Sequence, residues 1–82
     1  MYFLVNENRG YLVDETDLIQ DKITQHWMTK SEMDAVNTYS DKDVNFHRFF
    51  TKRAAEDFIK KIPSDEIKKH HITIQIVNSW FV

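Results

Sequence analysis

Residues 45–63 read NFHRFFTKRAAEDFIKKIP, and this stretch organises the rest of the chain. Phe46, Arg48 and Phe50 share one parity, and His47, Phe49 and Thr51 share the other. Aromatics at this density suit a pleated, half-buried surface. Because Phe49 faces opposite to Phe46 and Phe50, the pattern predicts a strand covered on both faces, hence a central one. Thr51 stands where a helix N-cap belongs, with its hydroxyl placed to accept a backbone N–H one turn in. Ala54, Ala55, Phe58, Ile59 and Ile62 then recur at helical period, opposite Lys52, Arg53, Glu56, Asp57, Lys60 and Lys61. Pro63 lacks the N–H a helix needs and disfavours helical geometry at Ile62, so the helix ends near Lys61.

Outward from this unit, Tyr2–Val5 and Tyr11–Val13 read as a hairpin around the turn Asn6–Gly10. The chain's single glycine sits where positive φ is wanted. Asp14–Asp17 is an acidic lead-in to an expected helix carrying Leu18, Ile19, Ile23 and Trp27 on one stripe. Thr29 and Glu32 fit a capping box, flanked by Met28 and Met33 at the positions of a hydrophobic staple. A second helix from Lys30 to about Tyr39 follows. After Pro63, Ser64 caps a short turn, and His71–Val77 alternates Ile72, Ile74 and Ile76 with Thr73 and Gln75 as a one-sided strand. The expected fold is one α+β domain over residues 1–82. It is a two-layer sandwich of order ββααβαβ, with a single mixed sheet of about four strands and helices mainly on one face. The last strand–helix–strand passage is long enough for a right-handed crossover between parallel strands.

Composition narrows the chemistry. The chain has 82 residues, one Gly, one Pro and no Cys, which excludes disulfides, thiolate metal sites and a glycine-rich phosphate loop. No run approaches the ~18 apolar residues of a membrane span, and the N-terminus lacks a basic signal region. A cytoplasmic protein is expected. Charge is uneven: residues 1–43 carry nine acids and four bases, and residues 44–82 carry seven bases and four acids.

Four histidines are spread over different segments. His70 and His71 are adjacent, so a strand would point them to opposite faces; no metal site, cofactor or catalytic residue is assigned. With two Trp, three Tyr and six Phe, aromatics exceed what a small core readily hides, and exposed aromatics anchor interfaces. The favoured reading is therefore a non-enzymatic module that binds another protein, with Trp27, Tyr39, Trp80 and Phe81 as anchors. A homodimer through the Trp80–Phe81 end or an exposed strand edge is compatible with it. The alternative is a nucleic-acid-binding module using the basic face of residues 48–69, where Arg48, Lys52, Arg53, Lys60 and Lys61 would contact phosphate. A small ribonuclease built on His47, Arg48 and Lys52 is the third reading. Glycine-poor, cysteine-free and rich in Ile, Lys and Asn, the chain resembles in style the small accessory proteins of bacteriophages. That resemblance implies a regulator or inhibitor of a host protein.

Overall fold

The computed structural model describes residues 1–76. Val77 and the expected anchors Trp80 and Phe81 lie outside the described residues. In chain order the elements are β1 (Tyr2–Asn6), β2 (Gly10–Asp17), β3 (Lys22–Met28), α1 (Lys30–Tyr39), β4 (Lys42–Phe46), α2 (Lys52–Lys60), α3 (Ser64–His70) and β5 (Ile72–Ile76).

The first hairpin forms as its sequence dictates. Asn6 is buried, and its Oδ1 accepts the backbone N–H groups of Asn8 and Arg9 at 3.0 Å each, turning the chain. Gly10 adopts φ +97°, and a Cβ there would run into the backbone at Met28 and Thr29. β2 then continues four residues beyond the expected Val13, and this extension sets the topology. β3 pairs with it along its full length, Tyr11 with Met28 through Asp17 with Lys22. On its other edge β2 is shared: β1 takes Gly10 and Tyr11, and β4 takes Val13 to Asp17.

The segment read first, Asn45–Phe50, fills the gap where β1 and β2 diverge. β4 pairs with β2 up to Phe46, and His47 N–H donates to Leu12 O at 3.0 Å. Two residues on, Phe49 and Tyr2 exchange both backbone hydrogen bonds, at 2.8 and 2.9 Å. The expected central position is met only in part: β4 pairs on one edge alone, with β2, and its continuation reaches β1 through an isolated bridge. Phe50 escapes it altogether and is 82% exposed.

Neighbouring residues of β2 point to opposite faces of the sheet, and each face has its own core. Leu12 joins Leu4, Phe49 and Ala55, with Trp27, Phe58, Ile59 and Ile74 packed around them. Val13 joins Met33 and Val44, with Tyr11, Met28, Val36 and Phe46 around them. Ala55 belongs to α2 and Met33 to α1, so one helix covers each face. Five features differ from expectation. Residues 14–27 form the β2–β3 hairpin instead of a helix. The sheet has five strands among the described residues, and the element order, βββαβααβ, matches the expected ββααβαβ only roughly. All the pairings are antiparallel, because β5 returns along the far side of β1 and never meets β4. Helices lie on both faces, since α1 and α2 answer opposite parities of one strand. Residues 64–70 also form two turns of helix whose N-cap is Pro63, with no side-chain cap.

Local capping matches the sequence closely. Thr51 Oγ1 accepts Ala54 N–H at 3.1 Å, and the Thr29–Glu32 box is complete, at 3.1 and 3.2 Å. Asn37 locks α1 onto β4 by a reciprocal pair with Val44: its Nδ2 donates to Val44 O at 3.0 Å, and its Oδ1 accepts Val44 N–H at 2.7 Å. The side-chain amide satisfies a β4 backbone pair left open opposite β2. Replacing Gly10 by Ala adds strain from positive φ and a backbone clash, and should cost about 2 kcal/mol or more in a urea titration. The Thr29 backbone N–H holds the Glu32 carboxyl below its ordinary value of 4.5. A depressed folded value stabilises above the unfolded one and is lost as pH falls. The stability difference between wild type and Glu32→Gln should therefore be fullest above about pH 5 and shrink on acidification below 4.5, read by thermal melts across pH.

Candidate functional site

The β2–β3 turn is built on Asp17. Its Oδ1 accepts the N–H groups of Ile19 at 2.9 Å and Gln20 at 3.0 Å, its carbonyl accepts Asp21 N–H at 2.8 Å, and Asp21 closes the turn at φ +54°. These bonds, from Gln20 first and Ile19 second, hold the Asp17 carboxyl below its ordinary value of 3.8. Leu18 N–H donates to Asp41 O at 3.1 Å, tying the turn to the α1–β4 connection. That connection follows Tyr39, the last residue of α1.

The turn and the elements next to it in the chain leave four large apolar side chains in water: Leu18 is 64% exposed, Ile19 77%, Ile23 66% and Tyr39 87%. Asp17 and Asp21 of the turn, Asp41 of the connection and Asp43 of β4 supply acid here, against Lys22 and Lys42, while Glu15 is buried and Asp14 pairs with His47. One of those lysines is engaged: Lys42 Nζ lies 3.0 Å from Glu15 Oε1, and this hydrogen bond raises the lysine's pKa. The tip is therefore apolar with an acidic surround.

Leu18, Ile19 and Ile23 are the residues that sequence reasoning missed, because it assigned them to a buried helical stripe. The usable signal was the pair Asp17 and Asp21 bracketing Leu18–Gln20, since Asp favours both side-chain-capped turns and left-handed backbone. Of the expected anchors, Tyr39 is exposed at the end of α1. Trp27 is half-buried against the Leu4–Leu12 core, so it belongs mainly to packing.

The basic candidates are brought together only loosely. Lys52, Arg53 and Lys60 lie exposed on α2, Lys61 is its C-cap, and Arg48 is exposed ahead of it. Glu56 and Asp57 interrupt the row, and Asp57 lies 3.8 Å from Lys60. His47 pairs with Asp14, its Nδ1 lying 2.8 and 3.0 Å from the two carboxylate oxygens, and packs edge-on against Phe49. His26 lies on the other face of the sheet, 2.9 Å from Thr24 Oγ1 and 3.9 Å from Glu15. The two imidazoles thus flank β2 from opposite sides. Among the described residues no three acidic or histidine side chains group to hold a metal ion. No helix among them is long and apolar enough to cross a membrane.

The turn bonds tie the tip to pH. A carboxyl whose folded value is depressed loses its contribution as pH falls, so amide exchange at Ile19 and Gln20 should accelerate below pH 3.8 beyond its intrinsic trend, and Asp17→Ala should show that faster exchange at neutral pH. The chain matches no protein-family model, no curated protein and no solved structure.

Proposed function

We propose that this chain is a non-enzymatic protein-binding module whose docking surface is the β2–β3 tip, acting in the cytoplasm as a phage-type regulator or inhibitor of a host protein. The observation that carries the reading is the exposure of Leu18 and Ile19 on a turn held by Asp17, together with that of Ile23 in β3 and Tyr39 at the end of α1. Water-exposed aliphatic and aromatic side chains gain free energy when desolvated, at roughly 25 cal/mol per Å² of apolar area buried. A turn already fixed by backbone hydrogen bonds loses little further entropy on docking. The acidic surround selects the partner's chemistry: a protein with a shallow apolar groove bordered by Lys and Arg. Charge of this kind speeds encounter and disfavours acidic competitors, while the apolar side chains hold the complex. Inhibition would follow from occupying that groove.

The second reading is phosphate contact by Lys52, Arg53, Lys60 and Lys61. Their exposure supports it; the Lys60–Asp57 pair and the interleaved Glu56 work against it. One experiment separates the two. Tagged protein is incubated with bacterial lysate, with and without nuclease, beside Leu18→Asp/Ile19→Asp and Lys52→Glu/Arg53→Glu variants. The expected outcome is one protein recovered in both nuclease conditions and lost at least tenfold with the tip variant only, about 1.4 kcal/mol or more. Recovery that vanishes with nuclease and with the α2 variant would overturn the tip reading in favour of nucleic acid.

A further inference from the structure

The outer edge of β3 is open. β3 is seven residues long and pairs only with β2 among the described strands, and Lys22 to His26 are all exposed. Edge strands of this length are templates for another strand unless charge, proline or a bulge blunts them, and Lys22 is the one charged residue in KITQHWM apart from His26. We propose that a second copy of this chain pairs with it antiparallel, about a two-fold axis through Gln25, giving a dimer with one continuous sheet.

The strand's own sequence selects that occupant. In the Gln25-centred register Ile23 faces Trp27 of the other copy, on the face where Trp27 already borders the Leu12 core. Ile23, 66% exposed in the single chain, gains an aromatic neighbour twice over by symmetry. On the opposite face Thr24 meets His26 and Lys22 meets Met28, so no like charges stand directly across the seam. Beyond the strand, the symmetry carries the acidic turn Asp17–Asp21 of one copy toward Lys30 and the N-terminal end of the other copy's α1, where negative charge is favoured. Ile23 belongs to both the seam and the proposed docking surface, whereas Leu18 is tied to the α1–β4 connection through Asp41. Variants at Gln25 leave Leu18, Ile19 and Tyr39 unaltered, so the dimer can fail without the tip reading failing.

The register is tested by substitution at the axis. Light scattering of the full chain up to about 1 mM should give twice the chain mass. Gln25→Lys and Gln25→Glu, each placing like charges face to face, should each give the single-chain mass with an unchanged circular-dichroism spectrum, and mixing them one to one should restore the dimer. The absence of native cysteine permits a second, independent reading. Gln25→Cys should oxidise to a covalent dimer, because directly opposed residues lie within disulfide reach. Ile23→Cys should not, since residue 23 of the two copies would be about 13 Å apart along the strands. A wild-type chain that stays single at 1 mM, a dimer indifferent to both charges, charged variants that fail to reassociate when mixed, or equal oxidation of the two cysteine variants would each overturn the proposal.

Discussion

The fold depends on the backbone of β2 being paired on both of its edges. An eight-residue strand has more hydrogen-bonding length than either neighbour on its left edge can satisfy: β1 covers its start and β4 its end. The chain joining β4 to α2 closes the gap by bonding first to Leu12 and then to Tyr2. Unpaired backbone groups in the interior are costly, so this wedge is required once β1 and β2 diverge. It also forces Phe46 and Phe49 to opposite faces. Phe46 stacks on Phe3 and meets Tyr11 edge to face on the α1 side, and Phe49 packs with His47 and Phe58 on the α2 side.

From that constraint follows the division of the molecule into a covered part and an open part. The helices pack near the centre of the sheet, α2 through Ala55, which is wholly buried, and α1 through Met33. α1 ends at Tyr39, and the connection after it bonds to Leu18 of the β2–β3 turn without burying Leu18, Ile19 or Ile23. A hairpin whose turn no helix covers leaves its tip in water. This one carries Leu18, Ile19 and Ile23 there, with no local polarity to justify them except a carboxylate that organises the turn. The same hairpin leaves the β3 edge open. The proposed docking surface and the proposed pairing edge both follow from the length of β2 and β3.

What could be read in the chain depended on whether a signal was local. Thr51, Thr29 with Glu32, Gly10 and Pro63 act within a few residues of themselves, so the boundaries of α1 and α2 and the first turn follow from the sequence alone. Residues 18–28 illustrate the limit. Ile19, Ile23 and Trp27 are spaced by four, which is close to one helical turn and also an even number of strand positions. The same residues therefore share a face in either geometry, and the local pattern does not decide between them. The β-branched pair Ile23–Thr24 and the turn-forming Asp17 and Asp21 favour the strand. The long edge of β2 completes the choice, because only a strand satisfies it.

The sequence by itself therefore determined the caps, the two main helices, the first hairpin and the acidic and basic halves, since each rests on neighbours within one or two turns. Tertiary structure alone decided that residues 14–28 are a hairpin, that α1 and α2 lie on opposite faces, and that β5 runs antiparallel beside β1. It also decided which apolar side chains stay outside. Tyr39, Leu18, Ile19 and Ile23 are ordinary hydrophobic residues in the chain, and they stay exposed because no element among the described residues covers them.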